Sequence, residues 1–152
     1  MKKDNSRGFS ILELLVVVVI VGILAAVAVP SMGAWQSKRD MNASAREIAS
    51  FLQQARSEAV RRNTIVWVEF TPESNSYFMR TGTANLSPVI TLPRGISIDN
   101  TSFSANRARF TTRGFAEEPG SVTIQVDGRP VDRRNWTRVI GVSLGGSVSI
   151  SQ

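Results

Sequence analysis

Three regimes of hydrophobic spacing divide this chain. From Leu14 to Val29 no residue is charged and nearly all are apolar. A run without a polar face predicts a helix that must be covered on every side. Phe9 to Val29 is 21 residues, about 32 Å at helical rise, enough to cross a bilayer. From Met41 to Ala59 the spacing is amphipathic. Met41, Ala45, Ile48, Leu52, Ala55 and Ala59 recur at steps of four and three, drawing one stripe. Arg46, Glu47, Gln53, Arg56, Arg61 and Arg62 fall mostly off it, and Glu58 stands four residues before Arg62, a favourable pair. The stripe is most simply core, and its alanines imply close approach of the helix to a sheet.

After Asn63-Thr64 the period drops to two. Ile65–Phe70 predicts a strand, Pro72–Asn75 a turn and Tyr77–Arg80 the hairpin partner. Further strands are expected at Val89–Leu92, Ile96–Ile98, Ala108–Thr112, Val122–Val126, Val139–Leu144 and Val148–Ile150, punctuated by glycines. One long helix followed only by short strands predicts an α+β fold with an antiparallel β-sheet head. Pro30, with Gly33 close behind, ends the apolar run; proline in a helix removes a hydrogen bond and clashes with the preceding turn, so a kink or break is expected there. Gly22 adds a second weak point.

Composition narrows the chemistry. There is no cysteine and no histidine, which removes thiol nucleophiles, imidazole bases and most zinc sites. No disulfide is available, so packing must stabilise the head. The formal charge is +6. Lys2, Lys3 and Arg7, against Asp4, precede the apolar run, and the positive-inside bias assigns that side to the cytoplasm.

The sharpest signal is Gly8-Phe9-Ser10-Ile11-Leu12-Glu13-Leu14, after the polar leader Met1–Arg7. Glu13 is a lone carboxylate at the mouth of the apolar stretch, where an ionisable group is expensive and marks function. Two plainer readings compete. A secretory signal would use Ala26-Val27-Ala28 for cleavage, but its apolar core would not begin with a carboxylate. A simple anchor has no need of Glu13.

This segment resembles the type III signal of type IV pilins and type II secretion pseudopilins. The resemblance implies cleavage between Gly8 and Phe9 by a prepilin peptidase, and N-methylation of Phe9. It also implies that Glu13 pairs with the charged N-terminus of a neighbouring subunit, selecting one axial register because an unpaired buried charge is costly. Methylation keeps the amine's charge. Gln54-Ala55-Arg56-Ser57-Glu58-Ala59-Val60-Arg61-Arg62-Asn63 running into a strand is similar to the GspH/FimT group of minor pilins and pseudopilins. Phe110-Thr-Thr-Arg-Gly114, Val122-Thr-Ile-Gln-Val126 and Arg138-Val-Ile-Gly-Val-Ser143 look like later strands of that group.

The resemblance implies a pilin-like organisation: residues 1–8 a cleaved leader, 9–29 a transmembrane helix, 30–64 the continuation of that helix, and 65–152 a β-rich head. The expected partners are the prepilin peptidase, the bilayer, the inner-membrane assembly platform and other minor and major pilins or pseudopilins. The protein would be single-pass in a bacterial inner membrane, its head in the periplasm until assembly. No cofactor or metal is expected, and no catalytic residue.

Two motifs point elsewhere. Gly141-Val142-Ser143-Leu144-Gly145 matches the G-x-S-x-G of serine hydrolases, yet that motif needs a strand–turn–helix setting and a histidine. Arg129, Arg133, Arg134 and Arg138 surround Trp136, a composition that suits nucleic-acid backbone and bases. DNA uptake is therefore the alternative function. Relatives of FimT that bind DNA look to carry a Gly-Arg-x-Arg segment, where this chain has Gly145-Gly146-Ser147-Val148-Ser149. A loop whose arginines serve subunit contacts is the preferred reading, and a structural subunit of a pilus or secretion pseudopilus the preferred function.

A side chain at position 8 would obstruct a peptidase working at the membrane surface. Gly8→Val should leave full-length precursor in the membrane, while the wild-type chain should begin at a methylated Phe9. Intact mass and N-terminal sequencing read both; a wild-type start at Val29 would instead indicate a conventional signal peptide.

Overall fold

The structure, a computed structural model, describes residues 10–82, 84–128 and 136–151, with the side chains of residues 26–32 and 34 outside the description. It separates into two compact units, Met1–Gln36 and Ser37–Gln152. Helix α1, Ile11–Arg62, contributes to both and is 52 residues long.

In the first unit, α1 presents apolar side chains all round. Exposure runs from 48% at Val16 to 88% at Ile11 among the large hydrophobics between Ile11 and Leu24. The helical assignment continues through Pro30, so the break expected there is absent. A proline removes one ladder bond, and a long helix can tolerate that loss when the turns on both sides persist. Among the described residues no helix is long and apolar enough to cross a membrane. The expected span, 9–29, includes Phe9 and the side chains of 26–29, which lie outside the description.

The second unit is the head. The six stripe residues Met41, Ala45, Ile48, Leu52, Ala55 and Ala59 are each at most 1% exposed. Phe51 and Ala49, off the expected stripe, are buried as well and widen it. The helix closes where the sequence changes period. Asn63 adopts a left-handed φ of 49°; its N–H donates to Val60 O at 3.2 Å, and Thr64 N–H donates to Ala59 O at 3.2 Å. These are the two bonds of a Schellman cap, which satisfy carbonyls that the helix end leaves free.

The strands are β1 Val66–Thr71, β2 Ser76–Thr81, β3 Ala84–Asn85, β4 Ile90–Thr91, β5 Ile96–Thr101, β6 Arg107–Phe110, β7 Gly120–Val126, β8 Thr137–Val142 and β9 Val148–Ser151. Two 3-10 turns, Pro72–Ser74 and Ser104–Asn106, lie between them. The expected single sheet is two. One is ordered β3-β2-β1-β6, with β4 also on β2; the other is β5-β7-β8-β9, and every pairing is antiparallel. Alternation fixes which face of a strand is buried but not which strand lies beside it, because pairing is non-local. Thus β6 leaves its sequence neighbours to pair with β1.

Both sheets turn one face to a shared core. Val66, Val68, Phe70, Tyr77, Met79 and Phe110 come from the first, and Ile96, Val122, Ile124, Ile140 and Val142 from the second, joined in one cluster with the α1 stripe. Tyr77 meets Phe51 edge-on at 5.2 Å between ring centres, and Phe70 stacks near Phe103 at 6.1 Å. Among the described residues the buried Tyr77 hydroxyl has no partner at full hydrogen-bond geometry, its interaction with the Glu47 carboxylate being a looser one. Burial first, and then the negative charge of Glu47, push its phenol up.

Leu52 is fully buried at the centre of the stripe. Leu52→Ala should destabilise the head by about 2–5 kcal/mol through lost transfer energy and a residual cavity, measured by denaturant unfolding followed through tryptophan fluorescence. A change under about 0.5 kcal/mol would show that the stripe does not organise the core.

Candidate assembly and contact sites

The sequence points first to the start of α1. Gly8 and Phe9 lie outside the described residues; Glu13 is described, exposed, and in the first helical turn. Ser10 caps that turn: its carbonyl accepts the Leu14 N–H at 3.1 Å and its hydroxyl accepts the Leu12 N–H at 3.3 Å. Ser10-Ile11-Leu12-Glu13 has the S-x-x-E spacing of a capping box, but the serine hydroxyl takes the N–H of Leu12 rather than that of Glu13. A carboxylate here also complements the positive end of the helix dipole. The position of Glu13 in the first turn suits a carboxylate to the helix start, apart from any role between subunits.

The arginine segment divides. Arg129, Arg133 and Arg134 lie outside the described residues. Trp136 is partly buried against the core, with Lys38 Nζ 4.9 Å from its ring centre. Arg138 Nε donates to Asn42 Oδ1 at 2.9 Å, and its Nη1 donates to Thr137 O at 2.6 Å. The two described members of the segment thus fasten β8 to α1. Ser143, in the hydrolase-like string, follows β8 in a strand–turn–strand hairpin, and its hydroxyl lies 2.6 Å from that of Ser147. Its setting is not that of a nucleophile. Among the described residues no three metal-ligating side chains cluster.

Two features escaped the sequence reading. On the outward face of the first sheet, Trp67 stands opposite Arg80 on β2 and Arg109 on β6. The guanidinium carbons of Arg107 and Arg109 lie 5.9 and 5.6 Å from its ring centre. Glu69 Oε2 sits 3.2 Å from Arg107 Nε and 3.8 Å from Arg80 Nη1, and Arg109 pairs with Glu117 at 3.1 Å. This lattice of cations, carboxylates and a ring compensates most of its own charge. Alternation within β1 was the signal that could have found it. Beside it lies a hollow of about 360 Å³ lined by Ser104, Arg107, Arg109, Glu117 and Glu118. Glu118 accepts the Ser104 N–H and hydroxyl, both at 2.8 Å, and these bonds hold its carboxyl below the usual range.

The second feature is a stitch between α1 and two loops. Arg56 Nη1 donates to Gly146 O at 3.2 Å. Gly146 has a φ of +74°, and a Cβ there would sit 2.3 Å from Gly114 O and 3.0 Å from Arg56 Nε. Gly114, also left-handed at +78°, faces Val60 and Arg56. Only glycine fits at 146, and a side chain at 114 would be strained and crowded. Further along α1, hydrogen bonds from Arg61 and Arg62 hold the Glu58 carboxyl low.

Comparison with known proteins agrees with this geometry. Residues 44–146 match the family "Type II transport protein GspH", and residues 3–29 match the "Prokaryotic N-terminal methylation motif". The chain is 35% identical to the pilin-like protein PilA1 of Thermus thermophilus over 48% of its own length and 46% of that protein's. It is 27% identical to PilA4, the type IV wide pilus major component of the same organism, over 80% of itself and 64% of the relative. It thus spans less than two thirds of both curated relatives. The fold is similar to the type IV minor pilin FimU of Pseudomonas aeruginosa, with a TM-score of 0.60 at 16% identity, covering 78% of this chain and 92% of FimU. It is also similar to the minor pseudopilin EpsH of the Vibrio cholerae type 2 secretion system, with a TM-score of 0.59 at 14% identity, covering 74% and 96% of the two chains.

Gly146→Ala combines a strained φ with a collision against backbone. It should cost about 2 kcal/mol or more, read as a lower denaturation midpoint with an unchanged m-value. Gly128, also at positive φ but with open space around its Cβ, should give the smaller loss when replaced by alanine; equal losses would remove the stitch from the account.

Proposed function

The chain belongs to the GspH family of type II transport proteins, and on that premise we propose that it is made as a precursor, inserted by α1 into the inner membrane, and added to a filament. Members of this family are structural subunits, and this one combines the minor pilin or pseudopilin fold with an N-terminal methylation motif. Family membership also implies assembly with other pilins or pseudopilins. The finer steps are our reading. A prepilin peptidase cuts between Gly8 and Phe9, Phe9 is methylated, and the assembly platform draws the subunit from the bilayer with its head on the periplasmic side.

One observation carries this reading. The first part of α1 is apolar on all sides and uncovered in the single chain, so it needs lipid or other helices around it. The bilayer supplies that cover before assembly, and neighbouring helices supply it afterwards. Glu13 is the exception on that surface. Buried among helices, its carboxylate is stable only beside a cation, and the methylated amine of a neighbour's Phe9 is one. Pro30 and Gly22 remain the points at which α1 can loosen as subunits pack. The methylation motif and the head suit a pilus and a secretion pseudopilus equally, as the two kinds of structural neighbour illustrate.

DNA contact during uptake is the second reading. Trp136 and Arg138 are spent on α1, and the arginine lattice around Trp67 is largely paired with carboxylates. The structural role is therefore preferred. A head that used these arginines on phosphates would lose affinity for duplex DNA steeply as salt rises.

Glu13 separates charge pairing from helix capping through two substitutions. Glu13→Gln keeps a capping-box side chain and removes the charge; Glu13→Val removes both. Both variants should be cleaved and inserted, and both should fail to enter filaments or crosslink to partner subunits in fractionated cells. If Glu13→Gln assembles normally while Glu13→Val does not, the residue acts by capping and the proposed charge pair is wrong.

A further inference from the structure

A sheet edge exposes unpaired backbone groups, and proteins normally block such edges with charge, proline, bulges or covering segments. Three of the edge regions here are blocked. Along β6, Ala116 bridges Phe110, Glu117 N–H donates to Arg109 O at 3.0 Å, and the strand carries Arg107 and Arg109. On the opposite side, β3 and β4 have two residues each, and Pro88 and Pro93 flank β4. In the second sheet, β5 carries Asp99 and a bulge between Ile98 and Asn100, while Asn75 Oδ1 occupies the Ile98 N–H at 3.0 Å.

The fourth, β9, has none of these devices. Val148-Ser149-Ile150-Ser151 contains no charge and no proline, pairs with β8 without a bulge, and has no covering segment among the described residues. Its ladder also determines which groups are free. Ser143 N–H donates to Ser147 O at 3.0 Å. Hydrogen-bonded pairs recur every second residue, so Gly141–Ser149 and Val139–Ser151 are bonded pairs as well. The N–H and C=O groups of Val148 and Ile150 therefore point away from β8. On the core-facing side Val148 packs against the cluster, while Ile150 is 42% exposed.

We propose that this edge pairs with the same edge of a second copy of the chain. A two-fold axis through the sheet places like faces opposite one another, which restricts the register. With Ser149 opposite its own symmetry mate, Val148 of each copy faces Ile150 of the other. Each of those two pairs exchanges both backbone bonds, giving four in all. The exposed Ile150 is covered by the partner's Val148, and the serines line the other face. An edge without charge has nothing to repel its own copy, and a two-fold contact closes on itself without forming an open chain. So short an edge gives a weak, concentration-dependent pair.

The register makes its own test. Ser149 and its mate form a non-hydrogen-bonded pair, with Cα atoms about 4.5 Å apart, within the span of a disulfide. The chain has no cysteine, so Ser149→Cys introduces a single thiol. The full chain in detergent is oxidised mildly and read by non-reducing electrophoresis and intact mass. Ser149→Cys should give a disulfide-linked dimer, and Asp99→Cys on the blocked β5 edge should stay monomeric. Adding Ile150→Pro removes an outward N–H while leaving the bonds to β8, so the linked dimer should be lost with little change in thermal unfolding. If that variant misfolds, Ile150→Lys makes the same test with a charge. A monomeric Ser149→Cys overturns the proposal, as does equal linkage through Asp99→Cys or a dimer that survives both changes at Ile150. Linkage of Ser149→Cys in cells to a different protein, with none to itself, replaces the second copy with a foreign strand.

Discussion

The head depends on one contact: the stripe of α1 from Met41 to Ala59 lying on a core that two sheets share. Among the described residues the two sheets have no pairing with each other, and each has a buried apolar face that needs cover. The stripe provides it, with alanines at 45, 49, 55 and 59 allowing close approach and Met41, Ile48, Phe51 and Leu52 filling the volume between. Without this helix the strands would present two incompletely covered sheets. With it, buried side chains from α1 and from both sheets form one cluster.

Polar interactions then fix details that packing leaves open. The Schellman bonds at Asn63 set where the chain leaves α1. Asn75 lies between the sheets: its carbonyl accepts the Leu92 N–H at 2.9 Å, and its side chain accepts the Ile98 N–H from β5. Arg56 and Arg138 each tie α1 to distant backbone or strand positions. A chain with no cysteine uses these charged and amide groups, together with tight glycines, to fasten its surface loops.

One helix thus meets two opposite demands. Between Met41 and Ala59 its apolar face is covered by its own chain; between Ile11 and Leu24 its whole surface is uncovered. The second condition is unstable in water, so that stretch needs apolar cover from outside its own chain. The head carries no catalytic constellation among its described residues.

Much of this could be read from sequence because it depends on local period. The helical stripe, its end at Asn63-Thr64, most of the strands and the apolar run follow from spacings of 3.6 and 2, and the methylation motif is contiguous. What required the folded chain was every relation between distant residues. Two sheets formed where one was expected, because alternation does not specify pairing. Trp136 and Arg138, grouped in sequence with three arginines, became helix contacts because β8 brings them beside Lys38 and Asn42. Gly114 and Gly146 are ordinary turn residues in sequence, and only their approach to each other and to Arg56 shows that position 146 has no room for a side chain. Sequence determines what each segment can bury; the tertiary fold decides which segments meet, because those contacts join residues far apart along the chain and are stable only when formed together.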